Sequence, residues 1–170
     1  MVLPMEEDPA KGWTPGKPTV LLNSPRVESE AAFSPDGRWL AYSSNDRGRF
    51  EVYVRAFPGP GGPWQVSSDG GRFPVWSRAG QQLFYRAADL KLRVAEYAVE
   101  GDSFRAGKPR TWSARLDERG PNRSFDLHPD GRRFAVLKSL SSGPEAKRNH
   151  VTLVLNFADE LRRIAPARTR

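Results

Sequence analysis

The sequence contains no cysteine, which removes disulfides, thiolate nucleophiles and cysteine-held zinc together. It has no run near the roughly 18 consecutive apolar residues of a helical membrane span, so no membrane partner is expected. The opening Met1-Val2-Leu3-Pro4-Met5-Glu6-Glu7-Asp8 lacks the basic start and long apolar stretch of a secretion signal. These absences leave the compartment unknown; expressed as it stands, the chain is expected in the cytoplasm. Histidine is scarce at two residues, and charge is lopsided: 27 Lys and Arg against 20 Asp and Glu, a net charge of +7. An excess of that sign raises nucleic acid as a partner. The basic residues are scattered, however, and only Arg162-Arg163 and Arg168-Thr169-Arg170 are locally dense. A solvated basic surface is the expectation, and nucleic-acid binding by that tail is kept only as a second alternative function.

What the chain has is turn residues and aromatics. Gly and Pro number 15 each, with 11% Phe, Trp and Tyr, a composition suited to short strands joined by tight turns. One pattern recurs. Ala32-Phe33-Ser34-Pro35-Asp36-Gly37-Arg38-Trp39-Leu40-Ala41-Tyr42 is followed by Val75-Trp76-Ser77-Arg78-Ala79-Gly80-Gln81-Gln82-Leu83-Phe84-Tyr85. A third copy reads Asp126-Leu127-His128-Pro129-Asp130-Gly131-Arg132-Arg133-Phe134-Ala135-Val136. Proline presets φ, aspartate bonds the local backbone and glycine accepts positive φ, so each copy predicts a hairpin turn between two antiparallel strands. The second copy has Arg78-Ala79 in place of Pro-Asp, and its turn is expected to depend on Gly80.

Further strands follow each hairpin. Alternation marks 50–57 and 92–99 as third strands, with 64–67 and 110–113 as fourth strands and 150–155 as the third strand of the last copy. Gly16-Lys17-Pro18 and Gly107-Lys108-Pro109 repeat before a fourth strand, so the N-terminal segment predicts a third strand at 2–5 and a fourth at 19–22. Residues 157–164 read as a short amphipathic helix. The expectation is one all-β domain over 1–170: 1–25 the end of a preceding unit, then units at 26–70, 71–116 and 117–170.

The run Phe33-Ser34-Pro35-Asp36-Gly37-Arg38-Trp39-Leu40-Ala41-Tyr42 resembles the β-propeller repeat of TolB and of prolyl-oligopeptidase propellers, relatives of the WD-repeat propellers. The stretch from Glu51 to Gly62, then Trp64-Gln65-Val66-Ser67 and Pro74-Val75-Trp76-Ser77, is similar to the C-terminal propeller of bacterial eukaryotic-like serine/threonine protein kinases. So is the closing Val154-Leu155-Asn156-Phe157 with Glu160-Leu161. The resemblance implies a partial propeller of about three four-stranded blades, plus a partial N-terminal blade and a short C-terminal helix. It brings no catalytic residue with it. The chain has no glycine-rich phosphate loop, no catalytic-loop His-Arg-Asp and no Asp-Phe-Gly, so it is not read as a kinase, and it has no Gly-x-Ser-x-Gly elbow.

An open arc of blades leaves strand edges and sheet faces that invite pairing. The expected completion is a homodimer that closes a ring of about six blades, exchanging a strand. The start of each innermost strand would line the channel, which places Glu28 and Glu30, Arg72, and Asn122 with Arg123 at one mouth. That set suits a small anionic ligand or a protein. No cofactor is evident, and a divalent metal held by Glu30 and Asn122 is kept as an alternative. A metal on Asp126 and His128 is disfavoured, because alternation is read as setting them on opposite faces; His128 is read as a turn residue. The leading function is a non-catalytic ligand- or protein-binding module. The first alternative is an esterase- or phosphotriesterase-like hydrolase, metal-dependent or not, with its site in the channel or dimer interface.

Overall fold

The computed structural model describes residues 1–116 and 123–137, which fall within one compact unit, Met1–Ser139. Among the described residues the chain is all β, and no helix is long and apolar enough to cross a membrane. Its strands make small antiparallel sheets, not a closed barrel. Strands β1 (Met5–Asp8) and β2 (Gly12–Pro15) form the first hairpin. Strands β3 (Glu28–Phe33), β4 (Trp39–Ser44), β5 (Glu51–Ala56) and β6 (Trp64–Gln65) then follow one another across a four-stranded sheet.

The next sheet repeats this order with β7 (Gly71–Trp76), β8 (Gln82–Ala87), β9 (Lys91–Glu100) and β11 (Arg110–Arg115). Strand β10 (Ser103–Ala106) pairs with the far half of β9. Strands β12 (Phe125–Leu127) and β13 (Phe134–Val136) form the last described hairpin. The expected strand at 150–155 and helix at 157–164 lie outside the described residues.

The repeated turns explain the repeated hairpins. In the first copy the Gly37 N–H donates to Ser34 O at 2.9 Å, and Gly37 has a φ of 71°. Ser34 Oγ accepts from Trp39 N at 2.9 Å and donates to Asp36 Oδ1 at 2.5 Å. The third copy does the same: Gly131 N donates to His128 O at 2.9 Å, and Asp130 N donates to His128 Nδ1 at 3.2 Å. The second copy corrects the expectation for Gly80, which is absent from the left-handed residues. Its turn closes instead through Gln82 N to Gly80 O, Ser77 N to Gln82 O and Ala79 N to Ser77 Oγ. With no Pro-Asp to bend the preceding residues, the backbone reaches the same hairpin by another route.

The N-terminal segment also differs from expectation. The ladder pairs Met5 with Pro15 and Asp8 with Gly12, and Val2 bridges Thr19 beyond its open end. The expected strands at 2–5 and 19–22 are thus drawn inward, because Asp8 Oδ1 accepts from Ala10 N and Lys11 N and nucleates a tip at 8–12.

Period-two alternation decides which side chains meet. Trp39 and Ala41 of β4, with Val52 and Val54 of β5, face Leu83, Tyr85 and Ala95 of the second sheet. The opposite face of the second sheet, with Phe73, Val75 and Leu92, packs on Leu116 and Phe125, and Phe84 meets Phe134 at 5.2 Å. The same strand positions therefore face the same way in successive sheets. Strand β10, which the sequence reading missed, carries Phe104 into the first of these interfaces. Its ring is 5.4 Å from Trp39, 6.1 Å from Trp76 and 5.1 Å from Tyr97. Trp76 also crosses the interface, donating from Nε1 to Ala32 O at 2.9 Å.

Glycines separate by their surroundings. A Cβ on Gly71 would lie 2.5 Å from Ser67 Oγ and 3.0 Å from Val52 Cγ2, whereas one on Gly80 meets nothing within 4 Å. Gly71→Ala should therefore lower unfolding free energy by about 2 kcal/mol. Gly80→Ala should be neutral or stabilising by up to about 1 kcal/mol. Urea melts of the two variants check this contrast.

Candidate functional site

The first strands of the two larger sheets, β3 and β7, share an irregularity. Their register slips between Ser29 and Ala32 in one, and between Arg72 and Val75 in the other. Glu30 and Phe73 sit in these bulges at equivalent repeat positions, with φ of 61° and 58°, which is uncommon for residues with a side chain. Bulges re-aim side chains, and here one bulge is tied to the other. Glu30 Oε2 accepts from Phe73 N at 2.8 Å and from Ser43 Oγ at 2.7 Å, while Oε1 takes the Arg72 guanidinium.

Arg72 lies over the Phe50 ring at 4.4 Å and the Phe73 ring at 5.0 Å, and Arg86 lies 4.4 Å from the Phe73 ring centroid. Burial, with the Arg72 charge beside it, lowers the Arg86 pKa to about 10, against a smaller opposing effect of Glu30. Three donors occupy most of the roughly four acceptor positions of the Glu30 carboxylate. It is therefore built as a clamp between sheets, and as it stands it has little left for a metal or a substrate proton.

The structure brings together only part of the predicted set. Glu30 and Arg72 are joined. Glu28 opens β3 but accepts from Ser24 Oγ at 3.0 Å, at the wall of a cavity of about 410 Å³ with Glu30, Leu40, Tyr42 and Leu21. Burial, then the Glu28 charge, pushes the Tyr42 pKa up to about 12, so that phenol is neutral at physiological pH. Arg123 is not at that wall. It pairs with Asp126 at 3.5 Å in a separate groove, because its strand belongs to the third copy. Asn122 and the tail arginines 162, 163, 168 and 170 lie outside the described residues. Among the described residues, no group of three or more His, Asp and Glu is placed to hold a metal ion.

The groove, of about 660 Å³, is lined by equivalent positions of all three copies: 32–35 from the first, Val75, Trp76 and Arg78 from the second, and 126–129 from the third. Asp126 and His128 both line it. This corrects their assignment to opposite faces, since residues two apart on a strand share a face. The turns of the second and third copies close on each other beside it: a Cβ on Gly131 would come within 2.9 Å of Ala79 Cβ.

Sequence reasoning also missed a buried carboxylate. Glu51, 2% exposed, accepts from Arg49 Nε at 2.7 Å, from Gly70 N at 3.0 Å and from the Ser67 hydroxyl. Ser67 Oγ in turn accepts from Val52 N at 2.8 Å. A charged residue opening an otherwise apolar strand, Glu51-Val52-Tyr53-Val54, was the available signal. This network welds β5 to the loop entering β7 and presents no open face for chemistry.

A scan against protein-family models finds no match, and a search of curated proteins finds none.

Removing one partner of a largely buried ion pair strands the other, so Glu30→Ala should destabilise the protein by about 3 kcal/mol in a denaturant titration. The Ser34 hydroxyl bond holds the Asp36 carboxyl below its ordinary 3.8, so Asp36 adds stability above that pH and loses it as pH falls through the lowered value. The Tm advantage of the native protein over Asp36→Asn should shrink steadily below about pH 4.

Proposed function

We propose that this chain is a β-propeller segment of the TolB-like kind that serves as a non-catalytic binding module for a protein or a small anionic ligand. The observation that carries this reading is the repetition of contacts. Leu40, Leu83 and Phe134 hold one repeat position, and Leu83 and Phe134 each pack toward the sheet before them. Consecutive sheets that turn the same face to their neighbours, with a groove walled by the same positions of three copies, are the arrangement expected of blades around an axis. The bonding of Glu30 and Glu51 supports binding over hydrolysis, since both carboxylates are already engaged by protein donors.

Completion by a second copy belongs to the same proposal. On its outer face the first sheet meets the N-terminal segment, where Met1, Leu3, Leu21 and Leu22 line a cavity with Leu40 and Tyr42. Leu3, Met5 and Val27 are exposed. A divalent metal has no role in this reading.

Two measurements test it. Incubation with ester and phosphotriester substrates, with and without chelator, is expected to give no turnover above buffer. Turnover that disappears in Glu30→Gln or Arg72→Ala would replace the binding reading with the hydrolase. Light scattering is expected at twice the chain mass of 19.0 kDa, and a monodisperse monomer removes the dimer.

A further inference from the structure

The three copies differ most tellingly where they meet in the groove. The equivalent positions are Ala32, Val75 and Asp126; then Ser34, Ser77 and His128, of which Ser77 is buried and does not line the groove; then Pro35, Arg78 and Pro129. A repeat that needs only to fold would keep the small or apolar residue, serine and proline. Ser34 and Ser77 serve their turns with the hydroxyl, and His128 does the same work with Nδ1. Arg78 serves no turn. Its side chain is exposed, and among the described residues it forms no ion pair. It lines the groove together with Arg123, whose partner Asp126 stands at 3.5 Å with both side chains substantially exposed. The wall thus carries two guanidiniums against one carboxylate. Beside them lies the half-exposed Phe33 ring, packed edge-on against Phe57 at 4.9 Å. A volume of about 660 Å³ lies in the range of ligand sites, where a few polar groups beside apolar walls fix orientation.

We infer that this groove binds an acidic peptide segment, its carboxylate taken by Arg78 with Arg123 and an adjacent apolar side chain seated against Phe33. This rests on the binding-module reading and gives it a ligand class. Charge complementarity selects the carboxylate, and the guanidinium fork suits it in geometry. Asp126 restrains affinity by competing for Arg123.

The test is fluorescence anisotropy on the full chain with a fluorescein-labelled short peptide alternating glutamate and phenylalanine, against matched glutamine and lysine peptides. The glutamate peptide is expected to bind at least about tenfold tighter than either, since a hydrogen bond to a charged group supports a factor of that order. Arg78→Gln removes the charge from an exposed side chain, so Tm should hold while peptide affinity falls about tenfold. Arg78→Ala serves as the second variant and should fall alike. Asp126→Ala should tighten binding. Equal affinity for the glutamate and glutamine peptides, or unchanged affinity in both Arg78 variants, overturns the inference. So does a single-stranded DNA oligonucleotide that displaces the peptide and itself depends on Arg78, which would make the groove a phosphate reader. Peptide failure of this kind leaves a binding module without this ligand, whereas ester turnover removes the module reading and leaves the groove result standing.

Discussion

The aromatic cluster between the first two sheets sets the geometry of everything around it. Trp39 from one sheet and Trp76, Tyr97 and Phe104 from the other are brought within ring contact, and the Trp76 indole is held by a backbone carbonyl across the gap. Large flat side chains exclude water over a wide area and tolerate few relative orientations. Once they are packed, the distance between β3 and β7 is set. The Glu30 carboxylate then reaches the Phe73 amide without adjustment, and equivalent residues of the copies meet at the groove. The polar contacts between β3 and β7 follow from the apolar contact between their sheets.

Much of this was legible in the residues. The Pro-Asp-Gly turns and the alternation of Trp39-Leu40-Ala41-Tyr42 place the hairpins and the side chains that face each neighbour. Glu30 and Arg72 were identified together because strand starts carry charge where a solvated channel would lie. What escaped has physical causes. Strand β10 is short, and a Gly101-Asp102 tip reads as an ordinary loop until Phe104 is seen filling the cluster. Glu51 is disguised by the apolar residues that follow it, since burial of its carboxylate depends on the distant donors Ser67 and Gly70 as well as on nearby Arg49. Gly80 misled because a glycine in a turn need not use positive φ. Arg123 was grouped with Glu30 by sequence equivalence, although the two line different cavities.

The two carboxylates illustrate how charge is accommodated in this fold. Each buried or half-buried Glu is met by an arginine, a serine hydroxyl and a backbone N–H. Neither arrangement relies on the ion pair alone, which repays desolvation poorly without further hydrogen bonds. The exposed aspartates of the turns do a different task, organising backbone N–H groups over a few residues. The contrast separates residues that join sheets from residues that shape loops, and it leaves Arg78 in neither group.

The bond from one bulge to the next has a consequence for how such an array lengthens. Glu30 secures the amide of Phe73, but Phe73 has no oxygen to offer a following bulge, and Ser124 occupies the equivalent place in the third copy. The copies are therefore not interchangeable bricks. Duplicating the second copy alone would seat a phenylalanine where a carboxylate is required, leaving the next left-handed residue without its acceptor. Shuffling the order would do the same. The array carries a direction, written in the one hydrogen bond that joins the first copy to the second, and the third copy, with Ser124 at that place, is added without it.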